Sequence, residues 1–246
     1  MSRFYVPPGS IRANKISVTG EEAHHIIDVM RLRPRDRVVT FDGTGKEYTG
    51  IIKDVKAKSL TIEIIEERES ASGSAIRITL IQALPKKEKM DYIVEKATEL
   101  GIHSIIPVVT DRTIPKWDES KRALQQDRWR KLAMEASKQC GRVNVPEIGD
   151  IAVFRNALKQ LAGYDLALVA SLSGESVPLK DAVKGFAGKK IVVAIGPEGD
   201  FTDEEVGLAK EADFRLISLG ARVLKSDTAA LAVLAILDYE YSNRQP

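Results

Sequence analysis

Five consecutive apolar residues, Ile191 to Ile195, run directly into Gly196-Pro-Glu-Gly-Asp-Phe201. An apolar run of strand length leaves no face for water, so it reads as a central parallel strand covered on both sides. A strand of that kind needs helices above and below it, which makes the chain an α/β protein. The loop after the strand is held at both ends. Gly196 and Gly199 allow backbone angles or close approaches that a Cβ would forbid, and Pro197 stiffens the bend between them. Thr202 and Glu205 have capping-box spacing, and Phe201 and Val206 have the spacing of a hydrophobic staple. Glycines at the carboxyl end of such a strand sit where ligands bind in open α/β sheets.

The loop does not suit a phosphate. Glu198, Asp200, Asp203, Glu204 and Glu205 crowd the start of the next helix, where they complement its dipole and oppose an anion. A neutral or cationic ligand fits better; a capped turn with no ligand is the competing reading of this loop alone.

The remainder of the chain divides near residue 70. Before it lie short strand-like pieces at Phe4–Val6, Ile16–Val18, Val38–Phe41, Tyr48–Val55 and Leu60–Ile65, with the turn Asp42-Gly-Thr-Gly45 between two of them. One helix is expected from about Glu21 to Met30, with Thr19 and Glu22 at capping-box spacing. Residues 66–74 read as a linker. A small β-barrel over 1–70 is therefore expected, a kind of module that often binds nucleic acid.

After residue 75 strands and helices alternate. Strands are predicted at Ile76–Leu84, Ile102–Val109, Leu166–Ser171, Ile191–Ile195 and Arg215–Leu219. Helices are predicted at Lys87–Leu100, with Met90, Ile93, Val94, Ala97 and Leu100 on one face, and at Arg122–Cys140, closed by Gly141. This alternation predicts a mostly parallel sheet with helices on both faces. The strand ending at Leu219-Gly220 leads through a short loop to a helix that is apolar almost all round, capped by Ser226 or Asp227. Such a helix is buried in its own core or against a second copy of the protein. The Gly196 and Gly220 turns would give one pocket two walls.

Charge and cysteine content narrow the setting. Net charge is +5 over residues 71–146 and −4 over 147–246, so the basic middle could face an anionic polymer. Cys140 is the only cysteine, which excludes an internal disulfide and fits a reducing cytosol. The longest apolar run, Ala229 to Leu237, is too short to span a bilayer, and the N-terminus has no signal-peptide core. A cytoplasmic protein is expected, with no membrane association. With only His24, His25 and His103 beside Cys140, no metal site is expected.

Gly196-Pro-Glu-Gly-Asp-Phe201, Leu219-Gly220 and Leu224-Lys-Ser-Asp-Thr-Ala229 together resemble the SPOUT superfamily of S-adenosylmethionine-dependent RNA methyltransferases. His24-His-Ile-Ile-Asp-Val-Met-Arg-Leu-Arg33, the stretch Lys86 to Gly101 and Glu135-Ala-Ser-Lys-Gln-Cys-Gly-Arg142 narrow the resemblance to the RsmE family, through nearly the whole chain. The resemblance implies methylation of N3 of a uridine in 16S ribosomal RNA. It also implies a PUA-like barrel over 1–70, a parallel-sheet α/β methyltransferase domain with a trefoil knot over 74–246, and a homodimer with its active site at the subunit interface. By the same resemblance Gly196, Pro197, Glu198, Gly199, Leu219, Gly220, Leu224 and Thr228 would line the S-adenosylmethionine pocket. The family commonly has Arg and Glu where this chain has Lys225 and Asp227; Lys lacks the bidentate fork of Arg. The cofactor carries a sulfonium cation and no phosphate, which suits the acidic loop.

The chemistry requires an aligned N3 and a stabilised negative charge on the uracil oxygens. Arg142 is the candidate for that stabilisation, with Glu135 or Asp227 orienting it or sharing the proton. The target base must be unstacked, so the RNA around it is gripped through phosphates and shape. Arg3, Arg31, Arg33, Lys86 and Arg112 are the candidate RNA contacts, with Arg35, Arg37, Lys87 and Lys89 adding cations nearby. Of His24 and His25 one is expected to face apolar partners and the other solvent. Trp117 and Trp129 could stack on bases but suit core or interface packing better, and Tyr239 and Tyr241 are expected to pack or to make dimer contacts. Two rival functions remain open: a dinucleotide-dependent oxidoreductase, which lacks a G-x-G-x-x-G turn, and an RNA-binding module without catalysis.

Overall fold

The computed structural model describes residues 3–69, 76–86, 89–161, 163–172 and 174–242. The chain forms two compact units, one of Met1–Gly73 with Ser137–Val145 and one of Ser74–Ala136 with Pro146–Pro246. Lys87 and much of the expected 66–74 linker lie outside the described residues.

The first unit is a six-stranded sheet. Its elements are β1 (Arg3–Tyr5), a 3-10 turn at Pro8–Ser10, β2 (Ile11–Arg12), β3 (Lys15–Thr19), α1 (Gly20–His24), a π-helical turn at His25–Val29, β4 (Arg37–Phe41), β5 (Lys46–Lys56) and β6 (Ser59–Glu69). The strand order is β1-β4-β5-β6-β3-β2. Among its described strand pairs only β1–β4 is parallel. Alternation along β3 buries Ile16 and Val18, which join Phe4, Val6, Ile26, Val38, Ile52 and Ile62 in one core. Register shifts after Thr49 and Ile52 bend the long β5–β6 hairpin. Gly50 sits in this hairpin because a Cβ there would lie 2.3 Å from the Ile62 side chain and 2.7 Å from the Glu63 carbonyl. The 137–145 segment returns to this unit, where Asn144 bridges to Gly43 and Thr44 and the Val145 amide donates to the Gly43 carbonyl.

The N-terminal helix differs from its sequence pattern. Thr19 stands at the N-cap of α1 but its side chain caps nothing, because Gly20 has a φ of +69° and the helix lacks a regular first turn. Glu22 is used elsewhere: its carboxylate accepts from the Tyr5 amide and pairs with Lys138. Beyond His24 the helix widens into the π turn, with the Met30 amide donating to the His25 carbonyl.

The second unit holds β7 (Arg77–Ala83), α2 (Lys89–Glu99), β8 (Ser104–Val109), most of α3 (Glu119–Cys140), β9 (Glu147–Ile148), β10 (Ala152–Val153), α4 (Phe154–Gln160), β11 (Leu166–Ala170), β12 (Val177–Pro178), α5 (Leu179–Ala182), β13 (Lys190–Ile195), α6 (Asp203–Glu211), β14 (Arg215–Ser218) and α7 (Ser226–Ser242). Every described strand pair in its sheet is parallel, in the order β10-β8-β7-β13-β11-β14-β12, with β9 beside β8. β13 lies at the centre, and Ile191 to Ile195 are all buried, as the apolar run requires. Phe154, Phe201, Ala209 and Phe214 pack in one core with Val192 and Ala194, while α2 packs beside α7. Gly101 and Gly141 close α2 and α3 with φ of +84° and +82°. On α2, Met90, Ile93, Val94 and Ala97 are buried and Leu100 is half-buried.

α7 is not covered all round. Ala230, Val233, Leu234 and Leu237 are fully buried, whereas Ile236 is 44% and Tyr239 77% exposed. The Tyr241 hydroxyl donates to the Val183 carbonyl. Trp129 is buried with its indole N–H on Asp91, and Trp117 packs against it. His25 meets Phe4 edge-on, and His24 pairs with Asp28. No helix among the described residues is long and apolar enough to cross a membrane.

Candidate cofactor cleft

The carboxyl ends of β11, β13 and β14 and the start of α7 enclose a cleft of about 240 Å³. Gly196, Pro197, Glu198, Leu219, Gly220 and Leu224 line it, together with Ser171, Leu172, Asp200, Arg222, Lys225 and Ser226. Of the eight residues expected there, Gly199 and Thr228 lie outside the lining; the Gly199 carbonyl instead accepts from Arg112. The Ser171–Leu172 end of β11 supplies a third wall. A strand boundary there is legible in the sequence, but nothing in the residues ties it to the two glycine turns.

The two glycines work by different means. Gly196 is a close approach: a Cβ there would lie 3.2 Å from Asp200 Oδ1 and from the Phe201 ring. Gly220 has a φ of +118°, while a Cβ on it would meet nothing within 4 Å. Its backbone is therefore open to a ligand in a conformation that side-chain-bearing residues rarely adopt.

The acidic residues of this loop mostly build it. Thr202 and Glu205 form the full capping box of α6, and Glu205, 5% exposed, also accepts from the Asp111 amide. Asp200, with φ +61°, accepts from the Phe201 and Leu172 amides and so ties the β13 loop to the β11 loop. Glu204 pairs with Arg155. Glu198 accepts from the Lys86 amide at 3.1 and 3.3 Å and pairs with Lys89. From the other side Arg112 donates to the Gly199 and Phe201 carbonyls. A third brace comes from Ser226, whose hydroxyl donates to the Gly196 carbonyl at 2.6 Å and accepts from Gln82 at 3.0 Å. Gln82 Oε1, beneath this loop, is buried without a hydrogen-bond partner among the described residues.

The donor set fits S-adenosylmethionine. Ile195, Ile217, Leu219, Leu224 and Ala229 offer an apolar surface for a base and thioether carbons. Open backbone at Gly220 and carboxylates at Glu198 and Asp200 suit amino and sulfonium groups.

The catalytic candidates stand on different elements. Asp227, at the start of α7, pairs with Lys89 at 3.3 Å, and Glu135 is exposed on α3. Arg142 follows the α3 terminus in the first unit; burial pulls its guanidinium below the ordinary arginine value, opposed by attraction to Cys140. Of the RNA candidates, Arg31 and Arg33 are exposed in the first unit, with Arg31 and Arg35 at positive φ. Arg3 is turned inward, over the Phe41 ring at 4.3 Å and beside Glu47 at 3.2 Å, so burial lowers its pKa against the pull of Glu47. Lys86 and Arg112 are exposed in the second unit, both at the β13 loop.

Comparison with known proteins agrees with this geometry. Residues 72–238 match the model of an RNA methyltransferase domain, and residues 18–65 that of an RNA methyltransferase PUA domain. The chain is 32% identical over 233 residues to ribosomal RNA small subunit methyltransferase E of Bacillus subtilis, covering 93% of this chain and 91% of the relative. It is 28% identical to the Synechocystis protein of the same name, covering 95% and 76%. The crystal structure of a ribosomal RNA small subunit methyltransferase E from Neisseria gonorrhoeae bound to S-adenosylmethionine superposes with a TM-score of 0.87 at 30% identity, over 98% of each chain. The chain therefore belongs to the ribosomal RNA small subunit methyltransferase E family.

Proposed function

We propose that this protein transfers a methyl group from S-adenosylmethionine to N3 of one uridine in the 16S RNA of the small ribosomal subunit, in the cytoplasm. The observation that carries the reading is the cleft at the ends of β11, β13 and β14, braced by the Glu198, Arg112 and Ser226 contacts, in a chain of this family. When bound, S-adenosylmethionine supplies an electrophilic methyl carbon. Residues Gly196, Pro197, Glu198, Leu219, Gly220 and Leu224 would hold it, with Gly199 and Thr228 adjoining.

The protein's own task is to position uracil N3 and to offset the charge that spreads onto the uracil oxygens as its proton leaves. Arg142 is proposed for that charge; Asp227, oriented by Lys89, and Glu135 are proposed to share the proton or orient the arginine. The domain over 1–70, with Arg31 and Arg33 on its surface, is proposed to grip RNA, with Lys86 and Arg112 of the 74–246 domain contributing and Arg3 supporting the first strand from within. A homodimer is proposed, supported by the exposed Ile236 and Tyr239 of α7 and Tyr92 of the neighbouring α2, an apolar face suited to a second copy.

The test is primer extension on 16S RNA from cells with and without the gene. A methyl on N3 blocks base pairing, so a gene-dependent stop at one uridine is expected; its absence refutes the reading. Arg142→Ala is expected to abolish the stop while calorimetric affinity for S-adenosylmethionine survives, and a normal stop with this variant would remove Arg142 from the chemistry.

A further inference from the structure

Lys89 is one of the cations near the candidate RNA contacts Lys86 and Arg112. Its surroundings give it another occupation. The ammonium lies 3.3 Å from Glu198 Oε1 and 3.3 Å from Asp227 Oδ1. Both carboxylates are therefore on one nitrogen. The three side chains are 29%, 24% and 22% exposed, so the trio is partly withdrawn from solvent. Burial works against the Lys89 charge, but the hydrogen bonds to Glu198 and Asp227 and the attraction of their charges together outweigh it, and its pKa ends above the ordinary lysine value.

The three residues come from three elements. Lys89 opens α2, Glu198 stands in the loop after β13, and Asp227 lies in the first turn of α7. Glu198 lines the cleft, and Asp227 neighbours Ser226, which lines it too. Two carboxylates this close repel one another unless a cation sits between them. Without Lys89 the Glu198 side chain keeps, among the described residues, the Lys86 amide, and Asp227 loses its ion-pair partner at 3.3 Å.

We infer that Lys89 is a positioning residue for methyl transfer: it holds Glu198 in the cleft wall and Asp227 at the start of α7 in one fixed arrangement. The inference rests on the S-adenosylmethionine reading of the cleft.

The test compares the full-length wild type with Lys89→Met, which keeps length and loses charge, and with Lys89→Arg, whose fork can still reach both carboxylates. Calorimetric titration with S-adenosylmethionine should give about tenfold weaker binding for Lys89→Met, the scale of one charge-assisted contact. Lys89→Arg should recover to within about threefold. Turnover of Lys89→Met should fall together with cofactor affinity, while rRNA affinity and its salt dependence stay as in the wild type. The opposite pattern overturns the inference: unchanged cofactor binding with an rRNA salt slope reduced by about one would make Lys89 a phosphate contact. A fall in melting temperature with wild-type cofactor affinity also overturns it, since that is a structural role alone. Should Lys89→Met not fold, Glu198→Gln carries the test, because Gln keeps an acceptor for the Lys86 amide and loses the pairing charge. It should also weaken cofactor binding, and wild-type affinity there refutes the inference. A wild type that binds no S-adenosylmethionine removes the cofactor reading itself, and this inference with it.

Discussion

Glu205 offers a quantitative test of how the cofactor loop is held. Its side chain is buried, and its two oxygens serve different partners: Oε1 accepts from the Asp111 amide at 2.9 Å and Oε2 from the Thr202 amide at 2.9 Å. Glu205→Ala removes the side-chain half of the capping box, the bond accepted from the Thr202 amide, a loss of about 1 kcal/mol. It also strips the Asp111 amide of its partner, which costs about 1 kcal/mol more at the low end of the range, since Asp111 is exposed and water can replace part of the bond. The sum, about 2 kcal/mol, corresponds to a fall in melting temperature of roughly 4–8 °C for a unit of this size. Glu205→Gln should fall between the two. One amide oxygen can accept from Thr202 or from Asp111, and its NH2 then faces the other N–H, so about 1 kcal/mol is lost. Thermal unfolding by circular dichroism orders the three proteins, and titration with S-adenosylmethionine should show the same order, since Glu205 joins the Asp111–Arg112 turn to the loop that Arg112 holds. An alanine variant melting within about 1 °C of the wild type would refute the capping-box magnitude. A destabilised variant with normal cofactor affinity would refute the link between this brace and the cleft.

Gly220→Ala should lose stability through backbone strain alone, roughly 1–3 kcal/mol at a φ of +118°, because its Cβ meets nothing within 4 Å; chemical denaturation checks this, and a change under about 0.3 kcal/mol sinks it. Asp165 accepts from the Lys189 and Lys190 amides at 2.7 and 2.9 Å, and these bonds hold its pKa below the usual carboxylate value. A depressed folded pKa gives stability that is present above the unfolded value and lost as pH falls through the folded one. Asp165→Asn should thus be less stable than the wild type at neutral and alkaline pH, with the two stability curves converging as pH falls through the folded pKa, which denaturant midpoints across pH would reveal.

The loop and its capping box could be read from residue types alone, because both depend on neighbours within a few positions. Thr202 and Glu205 cap as their spacing demands, since the helix they open begins regularly. Thr19 and Glu22 have the same spacing and do not cap, because Gly20 leaves the helical region and Glu22 is drawn to Tyr5 and Lys138. A local pattern holds only where no distant partner competes for its side chains. Lys138 lies 116 residues from Glu22 along the chain, a relation that no window of sequence contains.

The same limit governs the site. The apolar run of β13 determined by itself that the strand is central and that a parallel sheet surrounds it, since burial on both faces follows from composition. The two glycine walls were legible in the turns that end two apolar strands, and family likeness in the motifs identified the cofactor. Only the tertiary structure decided that the end of β11 closes the cleft as a third wall, that Ser137–Val145 returns to the first unit, and that Lys89 sits between Glu198 and Asp227. Charge count in the loop suggested an acidic pocket; pairing decided how much of that charge a ligand meets. Periodicity reports which side of an element is apolar, whereas a contact between side chains more than a hundred residues apart depends on how the sheet orders its strands.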